Sequence, residues 1–136
     1  MSNENSIYTE YFSLTTKYKS EYGDKTVVLL QVGAFFEIYG LRSKEGDITG
    51  SEIEKVCEIS QLNISEKKAL YENKQILMAG FRDYTLEKYI NKLTDAGYTI
   101  PVYIQDSPSK NTTRSLHIIY SPGTFFSNDT KELSKN

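Results

Sequence analysis

At 136 residues, with 38% hydrophobic and 25% charged side chains, the chain has the make-up of one ordinary globular domain able to bury a core without metal or disulfide staples. This excludes a disordered tail, and the longest apolar run, Val27 to Val32, falls far short of a membrane span. The net charge of -2 gives no overall basic surplus, so any contact with a polyanion must rest on local clusters such as Lys17/Lys19, Arg42/Lys44 and Lys67/Lys68.

In chain order, Ile7, Tyr11, Leu14, Tyr18 and Tyr22 recur at helical spacing, and Gly23 is placed to end that helix. Thr26 to Val32 is rich in β-branched residues and precedes Gly33-Ala34 and a second apolar run, Phe35 to Tyr39, closed by Gly40. Two strands joined by a Gly-X pair predict a hairpin with a II′ turn. Ser51-Glu-Ile-Glu54 has the form of a capping box, and Ile53, Val56 and Cys57 then give an apolar stripe, so a short helix is expected to about Ser60.

A basic segment, Ser65 to Lys68, follows. Gln75 to Ala79 reads as a strand broken by Gly80, and Thr85 to Ala96 is the clearest helix, with Leu86, Tyr89, Ile90 and Leu93 inward and Gly97 at its C-cap. Tyr98 to Gln105 reads as a strand whose Pro101 belongs at an edge or at the strand start. Asp106 to Arg114 is a polar loop, and Ser115 to Tyr120 a last strand, before the turn Ser121-Pro-Gly-Thr124. The mixture lacks a βαβ rhythm and predicts an α+β fold: a mixed β-sheet with an early hairpin, flanked by about three helices. The domain is expected over residues 1–124, with 125–136 a polar linker toward a following domain.

Several chemistries are missing. There is no P-loop and no Gly-x-Gly-x-x-Gly after a strand, so no nucleotide site is expected in this chain. Cys57 reads as a small core residue, and His117, the only histidine, as a structural one. Glu37, Asp47 and Glu52 could be assembled into a carboxylate cluster for Mg²⁺, but no spacing selects them from the other acidic residues. The chain is therefore expected to have no catalytic residues, no metal and no cofactor. The polar start, Met1 to Ser6, lacks the order of a signal peptide, which predicts an intracellular protein.

Residues two apart in a strand share a face, so Phe35, Glu37 and Tyr39 point one way and Phe36 and Ile38 the other. The second set can serve the core. From pattern alone, Phe35 is expected to pack under the first helix with Glu37 solvated. If the core does not need that face, it offers a ring and a carboxylate beside a tight turn, and two functions fit. The ring wedges into stacked bases while the carboxylate bonds a base edge. Alternatively, the Phe35/Tyr39 face is a protein-protein interaction surface.

Leu30-Gln-Val-Gly-Ala-Phe-Phe-Glu-Ile-Tyr39 resembles the Gly-Asp-Phe-Tyr-Glu segment of the MutS N-terminal, mismatch-recognition domain. Met78-Ala-Gly-Phe81 is similar to that family's Met-Ala-Gly-Ile, Tyr84 to Gln105 to its next helix and strand, and Ile119 to Thr124 to its Thr-Pro-Gly-Thr exit. These blocks keep their order from about Tyr11 to Thr124. The resemblance implies that Phe35 stacks on a mispaired or unpaired base from the minor groove and that Glu37 hydrogen-bonds that base. It places Lys67 and Lys68 near a basic segment expected to touch the phosphate backbone.

The implied partners are mismatched double-stranded DNA and, through a parent protein, other MutS domains, a second MutS-type subunit and a MutL-type protein. ATP and Mg²⁺ would be bound by the parent's ATPase, outside this chain. Two departures stand out. Ala34 replaces the family's common aspartate, and Phe81-Arg-Asp-Tyr84 replaces the usual Ile-Pro-Tyr-His, so contacts of that stretch are not carried over.

Overall fold

The structure, a computed structural model, describes residues 3–109 and 111–123. Helix α1 (Asn3–Tyr22) begins before the expected start and buries Tyr8, Tyr11, Thr15 and Tyr18, one residue out of phase with the stripe predicted from Ile7 and Leu14. The tyrosines win because ring and hydroxyl can both be satisfied inside: the Tyr11 hydroxyl donates to the Val28 carbonyl at 2.8 Å. Tyr22, expected inward, is 46% exposed and stacks on Tyr18 at the helix end, where the Gly23 N–H bonds the Lys19 carbonyl.

Seven strands form one mixed sheet: β1 (Leu29–Val32), β2 (Phe35–Arg42), β3 (Ile48–Thr49), β4 (Ser65–Tyr71), β5 (Lys74–Arg82), β6 (Ile100–Gln105) and β7 (Arg114–Tyr120). Their order is β4-β5-β2-β1-β6-β7, with β3 paired to β2, and among these strands only the β1–β6 pair is parallel. The expected α+β fold with an early hairpin is thus the one observed. β6 is interior and Pro101 is its second residue, so the strand-start reading holds and the edge reading does not.

Two expectations on the β4–β5 side need correction. Ser65 to Lys68 is no mere basic segment but the beginning of strand β4, joined to β5 by a two-residue turn in which Glu72 and Asn73 both have positive φ. As an edge strand β4 is largely exposed and carries polar residues on both faces, so it lacks the alternation that reveals a half-buried strand. Gly80 does not end β5, which runs on to Arg82 against β2. A Cβ at Gly80 would lie 2.8 Å from the Phe36 carbonyl oxygen, so the glycine permits a close backbone approach within the sheet.

Helices cover both faces of the sheet. α1 lies over Tyr39, which meets the rings of Tyr8 and Tyr11 edge-on. On the other face, α2 (Ile53–Ser60) lies against Gly40, and α3 (Leu86–Asp95), entered through a 3-10 turn at Asp83–Thr85, stacks Tyr89 on Phe81. The capping box is not formed: the Ser51 hydroxyl accepts from the Ile53 N–H and donates to the Tyr39 carbonyl, tying the helix start to the sheet. The C-terminus of α3 is as expected. Gly97 takes a φ of 94°, its N–H bonds the Thr94 carbonyl and the Tyr98 N–H bonds the Leu93 carbonyl, a Schellman arrangement.

Cys57 is a buried core residue, and burial pushes its thiol pKa up to about 11. His117, expected to be structural, is exposed on the edge strand β7. The expected linker, 125–136, lies outside the described residues.

Candidate nucleic-acid interface

The β1–β2 hairpin has a two-residue loop, with Val32 opposite Phe35, and a positive φ at Gly33 but not at Ala34, the sign pattern of the expected II′ turn. Its tip is held from both sides. From β6, the Gln105 side-chain oxygen accepts the Gly33 N–H at 2.5 Å, while the Gln105 N–H donates to the Gln31 side chain at 2.8 Å. From the end of β5, the Asp83 N–H donates to the Ala34 carbonyl at 2.8 Å. Arg114 of β7 bonds the Gln31 carbonyl as well. The residue following this loop therefore sits on a rigid platform.

That residue is Phe35, 41% exposed at the start of β2. Glu37 follows on the same face, half-buried, and accepts a hydrogen bond from the Tyr39 hydroxyl. Phe35 and Glu37 line one wall of an open cleft of about 360 Å³, with Asn63, Ser65, Met78 and Gly80 opposite and beneath. Because Gly80 pairs directly with Glu37 and has no side chain, the carboxylate is not overhung from β5.

Tyr39 departs from expectation. It is 2% exposed, packed under α1, and its burial together with the Glu37 charge raises its pKa well above the usual tyrosine value. A continuous Phe35/Tyr39 docking face for a protein partner therefore does not exist, because α1 covers this strand face at Tyr39 while Phe35 stays exposed and Glu37 half-buried. The carboxylates weighed as an Mg²⁺ site are not brought together either. Glu37 is engaged by Tyr39 and Glu52 by Lys19 at 2.6 Å, and among the described residues no group of three potential ligands could hold a metal.

Lys67 and Lys68 lie on β4, separated from β2 by β5. Ser65 pairs with Met78, which pairs with Tyr39, so the two lysines fall level with the far half of β2, away from Phe35. The structure does not bring them beside Phe35 and Glu37.

It brings another cation there instead. Arg82, the direct cross-strand partner of Phe35, places its guanidinium carbon 5.4 Å from the Phe35 ring centroid and 5.5 Å from that of Tyr84, which is 78% exposed. Sequence reasoning missed both residues because it stopped the strand at Gly80. Had β5 been continued, the period of two would have put Arg82 on the face of Gly80 and Phe35.

Comparison with known proteins gives a consistent family. The family described as MutS domain I matches residues 9–129. A putative DNA mismatch repair protein mutS homolog of Acanthamoeba polyphaga mimivirus is 32% identical over 123 residues, 89% of this chain and 11% of that protein. The DNA mismatch repair protein MutS 2 of Halobacterium salinarum is 30% identical over 122 residues, covering 87% of this chain and 12% of the relative. A mitochondrial DNA mismatch repair protein mutS homolog of Sarcophyton glaucum is 25% identical over 141 residues, 87% of this chain and 14% of its own. The chain thus spans only about a tenth of the length of the curated relatives it matches.

Proposed function

The chain belongs to the MutS domain I family, and from that premise we propose that it is the mismatch-testing domain of a MutS-type DNA repair protein. The observation that carries the reading is a half-exposed ring and a carboxylate on one strand face at a hairpin tip anchored by both neighbouring strands. Phe35 enters the minor groove and takes the place of a stacking partner at a kinked step. A mispaired or unpaired base is cheaper to unstack than a paired one, so the test is of deformability and not of sequence. Glu37 accepts a hydrogen bond from a base N–H, since a carboxylate has only acceptors to offer.

Lys67 and Lys68, further along the sheet, contribute phosphate contacts that position without specifying. Clamp, subunit interface and the ATPase with its ATP and Mg²⁺ belong to the other parts of such a protein, as does communication with a MutL-type partner, and this chain itself performs no catalysis. It works wherever the DNA to be repaired is. Alone, the domain is expected to bind DNA no better than non-specific binders do, about 10⁻⁴–10⁻⁶ M.

The test is a titration of the full-length protein carrying this domain with a fluorescent duplex containing one G·T pair or one unpaired thymine, and with its fully paired control. Tighter binding to the defective duplex that weakens steeply with salt is expected. Equal binding to both duplexes contradicts the proposal, and nanomolar binding by the isolated domain contradicts the division of labour.

A further inference from the structure

The backbone at Arg82 is anchored on both sides. Its own carbonyl accepts the Thr85 hydroxyl at 2.6 Å, and the N–H of the next residue, Asp83, is bonded to the Ala34 carbonyl, so the backbone at the base of the side chain is fixed to the hairpin tip. The guanidinium lies near the rings of Phe35 and Tyr84. Contacts with ring faces leave the N–H edge of a guanidinium available for a planar anion. Among the described residues the ion pairs are Lys19–Glu52 and Arg42–Glu66, and none involves Arg82. A chain of net charge -2 thus keeps an unpaired, oriented cation against the ring proposed to enter DNA.

We propose that Arg82 binds a backbone phosphate flanking the step that Phe35 opens, with Tyr84 as the outer wall that orients it. This inference rests on the function proposed above. Neighbouring strands stand about 4.8 Å apart, whereas the minor groove is only about 6 Å wide, so a side chain one strand to the side of an inserted ring meets the groove wall, where the phosphates are. The contact carries no base information. Arg82 adds affinity on every duplex alike.

The experiment measures affinity against salt concentration for the full-length protein on the G·T and the paired duplex, comparing the parent with Arg82→Gln, Arg82→Lys and Phe35→Ala. One phosphate contact contributes about 0.9 to the slope of log affinity against log salt. Arg82→Gln should lower the steepness by about that amount on both duplexes, so that its deficit is about 3- to 4-fold larger at about 50 mM than at about 200 mM salt. The ratio between the duplexes should not change, and Arg82→Lys, which keeps the charge, should retain the slope.

An unchanged slope for Arg82→Gln overturns the phosphate assignment, and so does a lost mismatch ratio at constant slope, which would make Arg82 a support for the ring or a reader of bases. If Phe35→Ala abolishes mismatch preference while Arg82→Gln leaves the slope intact, only the inference about Arg82 fails. If Phe35→Ala keeps the preference, or no DNA binding is measurable, the proposed function fails and takes this inference with it.

Discussion

The Tyr39 hydroxyl donates to one carboxylate oxygen of Glu37, two residues earlier on the same strand face. Tyr39 is buried and braced edge-on by Tyr8 and Tyr11 of α1, with ring centroids 5.0 and 5.3 Å away. A core residue thus aims a half-buried acid: one oxygen is committed inward, which on the proposed function leaves the other for a base. The packing of α1 on the sheet is thereby coupled to the geometry of the candidate site.

Tyr39→Phe keeps the ring and its edge-on contacts but removes this bond. The fold should persist, with a stability loss of about 0.5–1.5 kcal/mol from the lost hydrogen bond. Discrimination between G·T and paired duplex should fall about fivefold, as expected if the freed carboxylate loses about 1 kcal/mol of orientation. Urea unfolding and parallel DNA titrations measure the two effects separately. A stability loss with undiminished discrimination would reduce Tyr39 to a core residue.

Gly80→Ala should destabilise the domain for a reason distinct from a turn requirement. The added Cβ would stand 2.8 Å from the Phe36 carbonyl oxygen, and backbone cannot swing aside as a side-chain tip can. Overpacking of this kind costs about 1–3 kcal/mol. Gly33→Ala meets no atom within 4 Å, and its penalty arises only from the φ of 61°, about 1–2 kcal/mol. Because the strain at Gly80 falls on β2 between Phe35 and Glu37, its substitution should also weaken mismatch discrimination, read by the same titration.

Alkaline pH should destabilise the domain in two stages. Burial holds the Cys57 thiol near pKa 11 against an ordinary 9.0, and raises Tyr11 above the ordinary tyrosine value. In both, the folded state retains a proton that the unfolded chain releases, so stability is full below the unfolded pKa and falls as pH rises beyond it. Loss should begin near pH 9 through Cys57 and steepen above pH 10, where Tyr11 alone contributes about 1.4 kcal/mol per pH unit. Urea midpoints from pH 7 to 11 check this, and Cys57→Ala should remove the first stage and leave the second.

The fold was legible wherever burial imposes a period. Tyr89 and Ile90 with Gly97 specified α3 and its stop, and Gly33-Ala34 specified the hairpin, because these signals are local. β4 was not legible, since Glu66, Lys67 and Lys68 on an edge strand have no core to alternate against. Gly80 misled because a glycine demanded by neighbouring backbone looks the same in sequence as one demanded by a turn. At the candidate site, the shared strand face of Phe35 and Glu37 was legible from the period of two, while the burial of Tyr39 depends on where α1 lies, a long-range fact that strand periodicity cannot supply. Arg82 and Tyr84 stood out only as a departure from the family's pattern and received no role, because the strand was ended at Gly80, yet Arg82 lies against both the Phe35 and the Tyr84 rings.

The most direct test of the central claim is the titration of the G·T and paired duplexes with the full-length protein carrying Phe35 or Phe35→Ala. The ring is exposed, so its removal should leave the thermal unfolding midpoint nearly unchanged. The account predicts a preference for the mismatched duplex that disappears in the variant, with affinity for the paired duplex reduced far less. A variant that distinguishes the two duplexes as well as its parent would contradict the assignment of Phe35 as the wedge.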